Sequence, residues 1–232
     1  MKNMKKKEKK IDVTFRDQDL LKQAFTHRSY LNETRGALTS GSHNERLEFL
    51  GDAVLELITT VFLFKKYPEK NEGELTAYRS ALVNTISLAN VAETLDVNMY
   101  LLLSRGESRD IGRARQFILA NTFEAIIGAV YLDQGYGAAE KLVSRFLFPR
   151  LEEILSQGLW QDAKSKFQEC AQEKTGITPA YKVIEEIGPD HDKEFRVGVL
   201  LEDEIIGYGK GKSKQEAEQE AARQALLEKK WD

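Results

Sequence analysis

Residues 43–52 read HNERLEFLGD, a stretch that combines acids at helical spacing with an apolar side. Glu45, Glu48 and Asp52 stand at i, i+3 and i+7, so a helix would place all three carboxylates on one face. Carboxylates stacked on one stripe repel each other and lower helix stability unless a cation or a base neutralises them. Their oxygens suit a hard cation such as Mg²⁺. A solvated acidic face is the ordinary alternative, and spacing alone leaves both interpretations open.

A second segment, residues 117–129, places polar side chains on an otherwise apolar helix. Asn121 and Glu124 share one side of this helix, which is apolar almost all round and is therefore expected to be buried. Burying the Glu124 carboxylate without a partner would cost on the order of several kcal/mol. A metal ion shared with the first helix would satisfy it, and so would a buried Arg or Lys.

Helical periodicity extends through most of the first 155 residues. A long helix is predicted to be capped by Asn44, to run towards Lys66 and to stop before Pro68. Residues 104–113 are polar and contain glycines, which predicts a loop. Apolar residues recur at helix spacing in further segments, namely 17–27, 74–83, 85–95, 115–131 and 138–155. Because no strand alternation interrupts them, we predict an all-α domain over residues 11–155.

The pattern changes after Gly158. Asp162 is expected to cap a helix through Glu173, and a last helix is expected from Ser213 to Lys229. Between them lie strand candidates at 180–187, 195–201 and 205–208, with turns at Gly188-Pro189 and Glu202-Asp203. This order predicts an α+β domain, α-β-β-β-α, over residues 162–232, joined to the first domain by a linker at 156–161.

The charge distribution is uneven along the chain. Of the 232 residues, 41% are hydrophobic, which is enough to form packed cores, and the net charge is −3. Residues 1–10 sum to +5 and are predicted to be a basic flexible tail, whereas residues 11–161 and 162–232 each sum to −4. A nucleic-acid-binding protein would therefore need a local basic patch.

Cysteine usage and hydropathy restrict the location of the chain. The single cysteine, Cys170, excludes an intrachain disulfide and fits a reducing cytoplasm. No apolar run approaches the length of a membrane span, and the lysine-rich start has no apolar segment after it, so it does not resemble a secretory signal. We therefore predict a cytoplasmic protein without a membrane partner.

The stretch HNERLEFLGD resembles the signature of bacterial ribonuclease III, and residues 117–129 are similar to that family's second catalytic segment. The stretches THRSY (26–30), EGELT (72–76) and YLD (131–133) also fall in the family's order. The resemblance covers essentially the whole chain. It implies an all-α ribonuclease III catalytic domain followed by an α+β double-stranded-RNA-binding domain.

The resemblance also implies a reaction: Mg²⁺-dependent hydrolysis of phosphodiester bonds in double-stranded RNA, leaving 5′-phosphate and 3′-hydroxyl ends. Mn²⁺ is the expected substitute, no other cofactor is implied, and the expected substrates are ribosomal precursors and structured messenger RNA. The implied metal ligands are Glu48, Asp52, Asn121 and Glu124. Asp52 and Glu124 are the residues most needed for catalysis. Glu45 and Glu74 are expected to support the site, although each could equally be a plain surface or salt-bridge residue.

Asn121 departs from the family's pattern, which commonly has Asp at this position. An amide oxygen can still bind Mg²⁺, but it is neutral, so the site loses one negative charge and should hold the ion less tightly. The sequence leaves a tolerated natural variant, a weakened enzyme and a deliberately inactivated form as alternatives. The alternative function is a catalytically weakened or silent double-stranded-RNA-binding protein, because Asn121 replaces the usual Asp.

Family members form symmetric dimers in which each subunit's site cuts one RNA strand, and a twofold dimer matches the approximate twofold symmetry of an RNA duplex. The resemblance therefore implies a homodimer. It places Phe49, the aromatic residue of the signature, at the dimer contact. An ordinary core position is the alternative for Phe49.

Residues 162–232 resemble a module that recognises the A-form shape of double-stranded RNA through minor-groove 2′-hydroxyls and neighbouring phosphates. His191, in the loop at 188–191, is expected to enter the minor groove. Ser213 and Glu216 predict a capping box at a helix start, where free N–H groups favour phosphate. The remaining candidate RNA-binding residues are Ser165, Gln168, Glu169 and Gln172 on one helix face, and Lys210, Lys212 and Lys214 around Ser213. An exposed polar helix face and a solubilising charge cluster are the alternatives.

Overall fold

The computed structural model describes residues 8–33, 43–109, 112–156, 158, 160, 162–189 and 193–231. The chain divides into two compact units, Met1–Trp160 and Gln161–Asp232. Each unit has its own hydrophobic core, as expected for two separate domains.

The first unit is helical, which confirms the all-α prediction. Short 3₁₀ turns lie at Val97–Met99 and Glu107–Arg109, and a single-residue parallel bridge joins Thr26 to Leu102. The helices are α1 (Gln18–Ala24), α2 (Arg28–Glu33), α3 (Glu45–Lys66), α4 (Glu72–Val83), α5 (Thr85–Thr94), α6 (Arg113–Gln134), α7 (Tyr136–Phe146) and α8 (Arg150–Ser156).

Helices α3 and α6 form the centre of this unit. The buried side chains Leu55 and Ile58 of α3 and Phe123 and Ile126 of α6 are at most 1% exposed. Together they belong to one continuous core that also takes in residues of α1, α4, α5, α7 and α8. Burial of these apolar side chains is the main favourable contribution to the folding of the unit.

Two local predictions for the first unit were wrong. The predicted helical segment 138–155 is broken between α7 and α8, where Pro149 lacks an N–H and disfavours helical geometry in the residue before it. Asn44 precedes α3 as predicted, but its side chain makes no capping hydrogen bond. Instead, the buried Asn44 Nδ2 donates to the carbonyl oxygen of Ala24 at 3.4 Å, so the side chain ties α3 to α1.

The predicted tail and linker are partly ordered. Residues 8–11 are helical, Ile11 is buried, and Lys10 forms an ion pair with Asp96, so a flexible tail does not extend through residues 8–10. Trp160 packs edge-on against Tyr78, with ring centroids 4.7 Å apart, and so joins the core of the first unit. Residues 1–7, 157, 159 and 161 lie outside the described residues.

The second unit has the predicted α-β-β-β-α order. Its elements are α9 (Ala163–Thr175), β1 (Ala180–Ile187), β2 (Glu194–Leu201), β3 (Glu204–Gly211) and α10 (Lys214–Lys229). The three strands form one antiparallel sheet in the order β1-β2-β3. Phe167 of α9, Val197 and Val199 of β2, and Ala221 of α10 are fully buried between the helices and the sheet.

Strand β3 is longer than predicted because three glycines extend it. A Cβ at Gly207 would lie 2.8 Å from the Ala221 carbonyl oxygen, and one at Gly211 would lie 2.6 Å from the Ala217 nitrogen. Gly209, between them, is in equally close contact with α10. The glycines therefore let α10 pack directly against the backbone of β3, which propensity alone does not predict.

Candidate active site and RNA-binding surface

The crossing of α3 and α6 brings the four implied metal ligands together. Glu48 and Asp52 come from α3, and Asn121 and Glu124 come from α6. Their electrostatic influence on one another shows that the two pairs are neighbours, although residues 48 and 124 are far apart in sequence. The structure thus places both polar helix faces at one site.

Glu124 is the most perturbed acid of this group. Burial, reinforced by the negative charges of Asp52 and Glu48, raises the pKa of Glu124 to about 8. Its helix neighbours Phe123 and Ala125 are fully buried. Within the described part of the chain, no Lys or Arg contributes to this shift. The alternative of a buried basic partner for Glu124 therefore finds no support.

Glu48 lies beside Glu124 and is half-buried. Burial and the charge of Glu45 raise the pKa of Glu48, while a hydrogen bond with the Asn121 side chain opposes this effect and the charge of Asp52 adds to it. Asp52 itself is exposed. The group thus runs from a half-buried carboxyl that holds its proton more tightly than usual to an acid at the surface.

The two supporting acids lie in different surroundings. The Glu45 carboxylate contacts a guanidinium, with Arg28 Nη1 and Glu45 Oε1 3.3 Å apart. Glu74 instead caps α4, because Asn71 Oδ1 accepts from Glu74 N at 2.9 Å and Glu74 Oε2 accepts from Asn71 N at 3.2 Å. Lys70 Nζ lies 2.7 Å from Glu74 Oε1. No described contact joins Glu74 to the acids of α3 and α6, which fits the salt-bridge alternative.

The four implied ligands fit a hard cation chemically. Among the described residues, no three His, Cys, Asp or Glu side chains are already arranged as a metal-binding cluster. However, all four residues offer oxygen donors, and burial leaves the Glu124 carboxyl beside two further acids. A divalent cation would offset both the loss of solvation on burial and the repulsion from Asp52 and Glu48, which together raise the pKa of Glu124.

A cleft of about 740 Å³ opens beside the acids, and its lining includes residues that the sequence did not single out. Glu48 and Asn121 line it together with His27, Arg28 and Phe117. His27 and Arg28 belong to the THRSY stretch, but nothing in their spacing predicts that they lie near α3. Only the tertiary structure places them there.

Comparison with known proteins identifies the family. A family model described as "Ribonuclease-III-like" matches residues 17–151, and one described as "Double-stranded RNA binding motif" matches residues 163–229. Ribonuclease 3 from a Nitratiruptor species is 45% identical over 226 residues, covering 97% of this chain and 96% of the relative. Ribonuclease 3 from Natranaerobius thermophilus is 48% identical over 210 residues, covering 90% of each chain. The chain belongs to the ribonuclease III family.

A solved structure supports this assignment. The nuclease domain of ribonuclease III from Campylobacter jejuni matches with a TM-score of 0.57 and 38% identity, covering 65% of this chain and 97% of that chain. The ribonuclease III family is metal-dependent. The acids of α3 and α6 lie within the segment that the ribonuclease III family model matches.

In this ribonuclease III chain, Phe49 is exposed. It is 81% accessible and lies on the same side of α3 as Leu57 at 54% and Phe64 at 70%. An ordinary core position for Phe49 is therefore excluded within one copy of the chain. The three side chains form an apolar stripe along the outside of α3, named here the α3 stripe.

The predicted RNA-binding face of α9 is exposed. Its members Ser165, Gln168, Glu169 and Gln172 line one shallow concave surface together with Glu173. Cys170 is half-buried beside it, and its Sγ lies 3.6 Å from the Trp231 carbonyl oxygen, consistent with a packing role. His191 lies outside the described residues.

Two lysines near the junction of β3 and α10 lie beside acids of the sheet. Lys214 Nζ is 3.3 Å from Glu186 Oε1, and Lys210 Nζ is 3.8 Å from Glu194 Oε1. RNA phosphates would compete with these carboxylates for the lysines, so binding here should depend strongly on salt.

The capping box at Ser213 differs from the predicted one. Ser213 Oγ accepts from Glu216 N at 3.1 Å as expected. Glu216 Oε2, however, accepts from Lys212 N at 2.9 Å rather than from the Ser213 amide. The hydrogen bond that the Glu216 side chain accepts therefore holds the backbone of Lys212, one residue before the predicted partner Ser213.

Within the described residues, no helix is long and apolar enough to cross a bilayer.

Proposed function

We propose that this chain is an endoribonuclease that hydrolyses phosphodiester bonds of double-stranded RNA with Mg²⁺, leaving 5′-phosphate and 3′-hydroxyl ends. The observation that carries this proposal is the half-buried Glu124 carboxyl, placed beside Glu48 and Asp52 with no described basic side chain contributing to its raised pKa. Such a site attracts a divalent cation and has no evident structural purpose without one. Membership of the ribonuclease III family indicates that the substrate is double-stranded RNA.

The four implied metal ligands would have different roles in catalysis. Glu48, Asp52, Asn121 and Glu124 would hold the ion through oxygen atoms. When bound, a divalent cation lowers the pKa of a water molecule and neutralises phosphate charge. Glu124, which is half-buried on α6, would hold the ion at a fixed place relative to the core. Asp52 is exposed on α3, so it would be accessible to both solvent and substrate.

Asn121 is proposed to be a functional ligand. Its side chain hydrogen-bonds the Glu48 carboxylate, a contact in which an amide can donate and an ionised Asp cannot. Asn121 therefore orients Glu48 while it lowers the negative charge of the site. The silent-binding alternative has no observation in its favour.

Cleavage of a labelled RNA duplex, with Mg²⁺ and with chelator, tests the function. We expect the chain to cut with Mg²⁺, Glu124→Gln to abolish cutting with RNA binding nearly intact, and the exposed control Glu153→Gln to match the parent chain. Asn121→Asp separates the remaining possibilities. Binding without cutting, rescued by Asn121→Asp, would indicate a weakened or inactivated site, and binding without cutting in both would establish the silent binder.

The α3 stripe supports a homodimer. Large apolar side chains that are exposed along one side of a helix suit a protein interface. A Campylobacter jejuni nuclease-domain structure, 38% identical to this chain and with a TM-score of 0.56, is described as showing structural flexibility in a region involved in dimer formation. We infer that Phe49 lies in the dimer contact and that each subunit supplies one site to one RNA strand.

The second unit is proposed to hold the duplex. The exposed polar face of α9 can contact 2′-hydroxyls, and Lys212, Ser213 and Lys214 can contact phosphates at the N-terminus of α10. Lys210 would add a further phosphate contact, and His191 stays a predicted minor-groove contact. Ribosomal precursors and structured messenger RNA are the proposed substrates. A cytoplasmic location, which rests on the lone Cys170, stays a prediction.

A further inference from the structure

The cleft beside the acids carries an unassigned set of groups. Its lining includes Glu48 and Asn121, and also Arg28 and Phe117. The Arg28 side chain is 70% exposed and Phe117 is 46% exposed. An exposed cation and an aromatic ring thus share one concave surface with two of the proposed metal ligands.

The backbone that carries Arg28 is firmly held. His27 N donates to the Leu102 carbonyl oxygen at 3.0 Å, and Ser29 Oγ accepts from Ser104 N at 3.0 Å. His27 Nδ1 and Ser29 Oγ lie 2.9 Å apart, which fixes the imidazole as well. Arg28 therefore lines the cleft from a backbone segment that hydrogen bonds hold on both sides, and its own side chain is largely exposed.

Charge in the cleft indicates what Arg28 does. Glu45, Glu48 and Glu107 also line the cleft, so a polyanion entering it would be repelled unless a cation offsets them. Arg28 is placed to do this, since its Nη1 lies only 3.3 Å from Glu45 Oε1 and both side chains are substantially exposed. An exposed pair of this kind is weak, so the guanidinium can leave Glu45 for a better acceptor.

An RNA phosphodiester would be a better acceptor for the Arg28 guanidinium than the Glu45 carboxylate. A guanidinium binds phosphate through two parallel N–H donors, a stronger contact than an exposed carboxylate pair. Glu45 stands one helical turn before Glu48, about 4.5 Å along the axis, so Arg28 lies beside the cutting site rather than at it. Phe117 stands one turn before Asn121 and offers an apolar surface to a ribose between the two phosphates.

We propose that the cleft is a subsite for the cut RNA strand, in which Arg28 binds the phosphate next to the scissile one and Phe117 packs against the intervening ribose. The proposal rests on the proposed function, because it takes the acids of α3 and α6 as the cutting site. It adds a substrate contact to the nuclease unit itself, on the strand that this unit cuts. Arg28 leaves Glu45 when RNA enters.

A phosphate-neutralisation experiment tests the subsite. Short duplexes would each carry one methylphosphonate near the cut, with a 2′-deoxyribose on its 5′ side to prevent strand scission, and matched 2′-deoxy duplexes with normal phosphates would be controls. We expect Arg28→Gln to lower kcat/KM about tenfold on the controls. On one methylphosphonate duplex only, Arg28→Gln and the parent chain should react equally. Arg46→Gln, an exposed cation outside the cleft lining, should behave as the parent chain on every duplex.

Two further arms separate competing roles. If Arg28 acted only on Glu45, Arg28→Gln would have no effect in a Glu45→Gln background, and that result would overturn the proposal. If the cleft instead received a second copy of the chain, Phe117→Ser would dissociate the dimer in sedimentation, and no methylphosphonate position would remove the effect of Arg28→Gln, which would also overturn the proposal. An Arg28→Gln penalty that is equal on all duplexes would reduce Arg28 to a general electrostatic role and contradict the subsite.

Affinity without cutting keeps this test independent of the proposed function. Binding of the same duplexes in chelator should show the same single position at which Arg28→Gln has no effect. If the chain never cuts but this position is found, the proposed function fails and the subsite stands. If the chain cuts and no such position is found in either assay, the subsite fails alone.

Discussion

Gly51 of α3 and Gly128 of α6 meet face to face at the helix crossing. A Cβ at Gly51 would lie 3.0 Å from Gly128 N and would collide with the Glu124 carbonyl oxygen, and a Cβ at Gly128 would lie 3.0 Å from Gly51 N and would collide with the Leu47 carbonyl oxygen. The two backbones therefore touch. This contact sets the separation of the helix faces that carry Glu48 and Glu124.

Alanine at either glycine should therefore damage both the fold and the site. Backbone has to move at the crossing, so we expect Gly51→Ala and Gly128→Ala each to lower the free energy of unfolding by about 1–3 kcal/mol. Gly137→Ala is the matched control, because nothing lies within 4 Å of its Cβ position in α7. That control should be stabilising by about 0.5–1 kcal/mol. Urea unfolding compares all three, and equal stability of the two crossing variants and the parent chain would contradict the close contact.

The raised pKa of Glu124 predicts how stability depends on pH without metal. Its pKa rises from 4.5 unfolded to about 8 folded, so the folded state binds the proton more tightly and loses stability as pH rises between these values. In chelator near pH 8, Glu124→Gln should raise the melting temperature on the order of 5 °C, and the gain should shrink towards pH 5. The exposed Glu153→Gln should show no such trend. A gain independent of pH would mean that the glutamine acts by packing.

Removal of the α3 stripe should produce monomers. Phe49→Asp places a charge in a proposed apolar contact, where an unpaired carboxylate is unfavourable. We expect light scattering after gel filtration to report one chain for the variant and two for the parent, with an unchanged far-ultraviolet circular dichroism spectrum because Phe49 is not in the core. Lys65→Asp is the control, an exposed position on the same helix. A dimeric Phe49→Asp chain would place the interface elsewhere.

The lysines before and within α10 should determine part of the salt dependence of RNA binding. Each phosphate contact removed lowers the slope of log K against log salt by about one unit. The double variant Lys212→Gln, Lys214→Gln should thus bind all duplex sequences more weakly and with a slope smaller by about two. Lys182→Gln, an exposed lysine of β1, is the control. An unchanged slope in the double variant would leave these lysines as solubilising charges.

Sequence periodicity determined the element order because each unit buries apolar side chains at a repeat that reflects its secondary structure. The helices of the first unit and the three strands of the second were predictable in type. Their ends were less predictable. Pro149 breaks a helix whose apolar pattern continues past it, and glycines at 207, 209 and 211 extend a strand that propensity shortens.

The candidate site was predictable in its members but not in its assembly. The spacing of Glu48 and Asp52, and of Asn121 and Glu124, puts each pair on one helix face, which is a local property of the chain. That the two faces meet depends on the contact between Gly51 and Gly128, which joins residues distant in sequence. Arg28 and Phe117 also come together in one cleft only through tertiary packing. A periodic pattern does not indicate which helices cross. Local spacing determines which side chains share a helix face, and only the packing of the whole core determines which other residues lie opposite that face.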